Sequence, residues 1–179
     1  MQNRTASATL SDQEALDLAA CSDTPALMAE AGRLRDTGHG NVVTYSRKIF
    51  IPLTKLCRDV CHYCTFAQTP RHIPKPYMSA DEVVELCRQG AGAGCQEALF
   101  TLGEKPELRY RVAREALDAL GYESTLDYVA AVAARALKET GLLPHINAGC
   151  MTAEEISRLR PVSGSMGIML ESASPRLCE

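Results

Sequence analysis

The chain has 179 residues, 46% of them hydrophobic and 23% charged, with a formal net charge of −3. That is enough apolar material for one domain with a real core. With no basic run interleaved with aromatics, it gives no electrostatic support to a nucleic-acid partner.

No apolar stretch approaches the roughly 20 residues that a bilayer crossing needs, so no membrane role is expected. The first ten residues are polar and lack the apolar centre of a secretory leader, which places the chain in the cytoplasm by default. Eight cysteines could suggest a disulfide framework. Three of them fall between Cys57 and Cys64, and clustered thiols in a reducing compartment read as metal ligands instead.

In chain order, residues 11–37 read as helical, opened by a capping box of Ser11 and Glu14 and stopped by Gly38 and Gly40. Residues 48–53 form a short apolar run that reads as a buried strand. The clustered cysteines follow it directly. A loop rich in Pro and basic residues, 69–77, leads to a second capping box at Ser79 and Glu82, which opens a helix to about Gln89. Residues 97–102 are the second strand candidate, with Gly103 and Glu104 as its exit. Helical stretches at 107–120 and 125–140 end at Gly121 and Gly141. Residues 142–148 give a third strand, with Pro144 making its start irregular. Thr152 and Glu155 cap a short helix that ends before Pro161, and residues 165–170 give a fourth strand.

Strand then helix, repeated, predicts parallel strands with crossover helices: an α/β fold, sheet or barrel. The boundaries are residues 1–44 as an N-terminal helical extension and 45–179 as the α/β core. Four strands do not close a barrel of about eight, so the chain reads as a fragment or an unusually short member of its class.

Cys57-x3-Cys61-x2-Cys64 sits immediately after the first strand. Three thiolates on one loop can take three corners of a cubane [4Fe–4S] cluster. The fourth iron is then open to bind cofactor or substrate, as the open position of a catalytic zinc is. The alternatives are a zinc site completed by His62 or His72, and unliganded thiols. Cys21, Cys87, Cys95, Cys150 and Cys178 read as small buried hydrophobes. His145 and His72 read as structural, and the loop carrying Arg71 and Lys75 as solvated.

Polar groups stand at the exits of all four predicted strands: the cysteines, Gly103-Glu104, Asn147, and Glu171-Ser172. In barrels, chemistry gathers at those ends.

The cysteine spacing, with Tyr63 before the last thiol, resembles the signature of radical S-adenosylmethionine enzymes. That resemblance implies Cys57, Cys61 and Cys64 as cluster ligands and S-adenosylmethionine on the open iron. Leu102-Gly103-Glu104 resembles the superfamily's Gly-Gly-Glu motif, with its first glycine replaced, and implies Gly103 and Glu104 at the cofactor's amino group. Glu171 is implied at the ribose, Tyr63 and Phe66 beside the adenine, and Asn147 is a further candidate contact.

Longer strings narrow the resemblance: Val43 to Phe66, Glu97-Ala-Leu-Phe-Thr-Leu-Gly-Glu104-Lys-Pro, Gly141-Leu-Leu-Pro-His-Ile-Asn147 and Met166-Gly-Ile-Met-Leu-Glu171 are similar to the deazaflavin (FO) synthases. The similarity is to the CofG type, as a separate subunit or as the N-terminal half of a fused form. It implies a partial (β/α) barrel and a lyase-type radical reaction. The hydroxybenzyl adduct of 5-amino-6-ribitylaminouracil is cyclised oxidatively with loss of ammonia, giving the chromophore of coenzyme F-420. The implied partners are that small-molecule substrate, a CofH-type sister enzyme, separate or fused, and an electron donor. An incomplete barrel of this kind is expected to hold its cluster poorly and to turn over little on its own.

Overall fold

The computed structural model describes residues 10–169, together with 174 and 176. The chain divides into two compact units, one up to Tyr45 and one from Ser46.

In the first unit, residues 11–37 form two helices rather than one: α1 (Asp12–Ala20) and α2 (Thr24–His39). The Ser11–Glu14 capping box opens α1 as expected. Asp23 interrupts the helix because its side chain caps the Ala26 N–H at 3.0 Å. Pro25 follows in the first turn of α2, where its missing N–H costs nothing.

The second unit is built on four parallel strands in the order β1 (Lys48–Ile51), β2 (Glu97–Thr101), β3 (Leu143–Asn147) and β4 (Ser165–Met166). Between them run α3 (Ala80–Gly92), α4 (Arg111–Leu120), α5 (Thr125–Thr140) and α6 (Ala153–Leu159). The capping boxes Ser79–Glu82 and Thr152–Glu155 open α3 and α6. The stretch 107–120 begins as a 3-10 turn, Pro106–Leu108, and becomes α-helical only from Arg111. β4 ends at Met166, shorter than the predicted run, whose last residue, Leu170, lies outside the described residues.

Strand periodicity assigns the two sheet faces. Ile51, Phe100 and Ile146 are aligned across β1, β2 and β3 and are fully buried. They pack with Val83 and Cys87 of α3, Leu117 of α4 and Val129, Val132 and Ala136 of α5. The other face carries Phe50, Leu99, His145 and Ser165 in register, with Phe50 43% exposed.

A polar brace ties the helical side to the loop before α3. The hydroxyls of Tyr77 and Thr125 are 2.7 Å apart, Thr125 donates to Glu107 at 2.6 Å, and Tyr128 donates to the Met78 carbonyl at 2.8 Å. Burial pushes the Tyr128 phenol up to about 12. Cys87 is buried as expected, and burial raises its thiol to about 11. Cys95 is half-buried. Cys21 and Cys150 are exposed, against expectation, because each lies in a connection outside the core: Cys21 between α1 and α2, Cys150 just after β3. Cys178 lies outside the described residues. Among the described residues no helix is long and apolar enough to cross a membrane.

Candidate cluster and cofactor site

The cysteine loop starts from a rigid base. Leu53 and Leu56, just past β1, are fully buried, and Thr54 between them is 2% exposed. Its hydroxyl accepts the Leu56 N–H at 3.1 Å, while its carbonyl accepts the Gly103 N–H at 3.0 Å. Met78 donates to the Leu53 carbonyl and Gln68 to that of Lys55, both at 2.8 Å. The segment is therefore pinned from the β2 exit and from the loop before α3.

Cys57 follows, half-buried, with its Sγ accepting the Glu104 N–H at 3.3 Å. The next peptide returns the contact: Arg58 N–H donates to the Glu104 carbonyl at 2.8 Å. Arg109 donates to the carbonyls of Arg58 and Asp59 at 3.0 and 3.4 Å. From there the loop runs outward. A turn is closed by Cys64 N–H on the Cys61 carbonyl at 3.0 Å, and Cys64 Sγ accepts Ala67 N–H at 3.5 Å. Cys61 and Cys64 are exposed and Tyr63 is 63% exposed.

Glu104 is the hub of the site. It is 8% exposed, and its Oε1 pairs with the Arg58 guanidinium. Its Oε2 accepts the Cys150 N–H at 2.8 Å, which ties the β3 exit to the same carboxylate. The hydrogen bond to Glu104 raises the Arg58 pKa. At Cys61, partial burial raises the thiol pKa, followed by the charge of Asp59 and the neighbouring Cys57 and Cys64, while a Tyr63 hydrogen bond opposes the shift.

Two glycines make this convergence possible. A Cβ on Gly103 would lie 1.8 Å from the Leu56 carbonyl oxygen, a backbone atom that cannot step aside. Gly149, at φ +80°, would place a Cβ 2.2 Å from Glu104 Oε2. The motif's other position tolerates a side chain: Leu102 is 7% exposed and joins the core. The departure from Gly-Gly-Glu therefore falls at the position with room.

Of the predicted site residues, the fold gathers Cys57, Gly103 and Glu104 tightly, with Cys61, Cys64 and Tyr63 further out on the same loop. Asn147 is half-buried at the end of β3, level with Thr101 across the sheet. Phe66 packs edge-on to Phe50, ring centres 6.0 Å apart. His72 bonds Thr69 at 3.1 Å within its own turn. Glu171 lies outside the described residues. Sequence reasoning missed Arg58 and Gly149. The only signal for Arg58 was a cation inside the cysteine loop, since its partner lies 46 residues away.

The donor set suits an iron–sulfur cluster. Two of the three sulfurs accept backbone N–H groups, the kind of contact that supports cluster thiolates. Among the described residues no three His, Cys, Asp or Glu side chains converge on a single ion. A cubane instead takes its three cysteines at three separate irons. Each carboxylate oxygen of Glu104 makes one of these contacts, and a carboxylate has about four lone-pair sites, so acceptor capacity remains for an ammonium.

Comparison with known proteins gives a consistent picture. Residues 51–179 match the model of the Radical SAM superfamily. The chain is 51% identical over 183 aligned positions to a protein named FO synthase from Mycobacterium tuberculosis, covering 94% of this chain and 21% of that protein. It is 47% identical to the 7,8-didemethyl-8-hydroxy-5-deazariboflavin synthase of Methanopyrus kandleri, covering 77% of this chain and 41% of that one. The chain thus spans about a fifth and two fifths of these relatives' lengths. Among solved structures, the FeFe-hydrogenase maturase HydG from Carboxydothermus hydrogenoformans superposes with a TM-score of 0.68 over 94% of this chain and 36% of that one, at 21% identity, a likeness of fold. A parallel sheet that sets a three-cysteine loop beside a buried Gly-Glu exit, matched by the family model over most of its length, has one home: this chain belongs to the radical SAM superfamily, whose members use a [4Fe–4S] cluster and S-adenosylmethionine.

Proposed function

We propose that this chain carries the cluster- and cofactor-binding part of a deazaflavin (FO) synthase of the CofG type. Residues 45–179 are its radical SAM core and residues 1–44 an extension. The reaction is oxidative cyclisation, with ammonia loss, of the hydroxybenzyl adduct of 5-amino-6-ribitylaminouracil. The observation that carries the reading is the Cys57–Glu104 junction, in a chain about half identical to proteins named for this synthesis.

Cys57, Cys61 and Cys64 hold three irons and leave the fourth to the cofactor. Together, cluster and S-adenosylmethionine supply the one-electron chemistry that removes a hydrogen atom from substrate. Glu104 accepts the cofactor's ammonium while Arg58 and the Cys150 amide fix the carboxylate's orientation. Gly103 brings the β2 exit close enough for that contact. Tyr63 would lie beside the adenine and Glu171 at the ribose, with Asn147 as a further cofactor contact. A CofH-type sister enzyme supplies the adduct, an electron donor reduces the cluster, and the setting is the cytoplasm.

The test is a product assay with cluster-loaded protein, dithionite, S-adenosylmethionine and the adduct. The reading expects deazaflavin fluorescence together with 5′-deoxyadenosine, at the low turnover expected of an incomplete barrel. Cofactor cleavage with a CofH-type or menaquinone-pathway substrate, and none with the adduct, would reassign the protein to a sister enzyme.

A further inference from the structure

The uncovered sheet face holds one group that the site description does not use. Register places His145 of β3 beside Leu99 of β2 and Ser165 of β4, with Phe50 of β1 in the same row. Along β3 it lies two residues before Asn147, so it points to the same face, roughly 6–7 Å deeper. In a sheet that curls toward a barrel with its helices outside, this face is the inner wall. The row is joined to the cysteine loop, because Phe50 packs against Phe66, two residues past Cys64.

The two ring nitrogens of His145 are in different situations. Its Nδ1 lies 2.7 Å from Ser165 Oγ, a bond across the β3–β4 pair that fixes the ring plane. Its Nε2 has no hydrogen-bond partner among the described residues. Gly167 lies alongside that nitrogen: a Cβ there would stand 3.4 Å from Nε2 and 3.7 Å from Cε1, in ordinary van der Waals contact with the ring. The charged groups on this face, Lys48 and Glu97, pair with each other at 2.8 Å one row below. Burial first, and then Lys48, lower the imidazole pKa, which favours the neutral ring with an acceptor nitrogen.

We infer that His145 is a substrate-positioning residue whose Nε2 accepts a hydrogen bond from an N–H or O–H on the substrate's ring system. In this role Nδ1–H donates to the Ser165 hydroxyl, leaving Nε2 as the acceptor, and the Phe50 and Leu99 side chains form an apolar floor for a flat heterocycle. This inference rests on the proposed deazaflavin reading, in which the adduct offers both uracil N–H and phenol O–H donors.

The experiment is equilibrium binding of the hydroxybenzyl–ribitylaminouracil adduct to anaerobic, cluster-loaded protein without S-adenosylmethionine, with iron content checked in each variant. His145→Ala should weaken binding about tenfold and Ser165→Ala about threefold, with His145→Gln between them, as loss of one hydrogen bond predicts. In histidine-15N-labelled protein, the His145 Nε2 resonance should move when the adduct is added. That readout stands even if His145→Ala folds poorly. Equal affinity of wild type and His145→Gln, with an unmoved Nε2 resonance, would overturn the role of His145 while leaving the function reading intact. Wild-type protein that binds no adduct would sink both.

Discussion

Cys57 and Cys61 are four residues apart on one loop, yet their surroundings have little in common. At Cys57 the backbone is tied to the β2 exit in both directions, through Glu104 N–H to sulfur and Arg58 N–H to the Glu104 carbonyl. The Arg58–Glu104 ion pair and the Arg109 donors add to this. Beyond Asp59 the loop is exposed at each of residues 60–65, held by the turn from Cys61 to Cys64. One end is fixed by the fold before any metal arrives, while on the proposed reading the other would gain its order from ligation. Metal binding then stabilises the loop itself, as it does wherever a site is incomplete without its ion.

Replacing cysteines breaks this contrast most severely. Alanine at Cys57, Cys61 or Cys64 should each remove nearly all cluster iron. Cys57→Ala should also lower the melting temperature of the apoprotein the most, because it alone deletes a contact to the β2 exit, whereas the Cys64 sulfur bonds only within its own loop. Equal melting of all three apo variants would show the fixed end to be illusory. Next in size is Gly103→Ala, which forces a Cβ onto the Leu56 carbonyl and should cost about 3 kcal/mol in chemical denaturation. Iron uptake should fall with it. Glu104→Gln keeps the shape but weakens the Arg58 pair. With the guanidinium partly in solvent it should cost only about 1 kcal/mol. Its larger effect should be on S-adenosylmethionine affinity.

Thiol alkylation sharpens the comparison without mutation. In the apoprotein, Cys61 and Cys64 should react severalfold faster than half-buried Cys57, read by mass spectrometry of peptides. The smallest effect concerns acid. Hydrogen bonds from Lys75, and then from Ser79, hold Glu82 at about 2, below its ordinary 4.5. A carboxylate with a depressed folded pKa contributes stability above its unfolded value and loses it as pH falls through the folded one. The α3 cap should therefore weaken slightly between about pH 4.5 and 2. Glu82→Gln should flatten that part of the stability profile.

How much of this was legible in the sequence follows from the range of each interaction. The capping boxes at Ser11, Ser79 and Thr152 were readable because donor and acceptor lie three residues apart. The strands were readable because each centres on a short apolar run set between turn and helix signals. The break between α1 and α2 was missed although Asp23 and Pro25 signalled it, since a strong cap at Ser11 and a distant glycine stop made one long helix look complete. Gly149 and the exposure of Cys150 were not legible, and Arg58 showed only as a cation inside the cysteine loop. Each depends on Glu104 or on a loop brought from another strand, and nothing local records which carboxylate a cation will meet. His145 was read as structural because no partner for it is visible in the sequence; Ser165 is brought beside it only by the β3–β4 register.

The most direct test of the central claim is iron and sulfide analysis, with EPR spectra of the anaerobically reconstituted, dithionite-reduced protein before and after adding S-adenosylmethionine. An open-iron cluster on Cys57, Cys61 and Cys64 predicts about four irons and four sulfides per chain and a spectrum that changes when the cofactor binds. Bound zinc in place of iron, or a cluster signal indifferent to the cofactor, would contradict it.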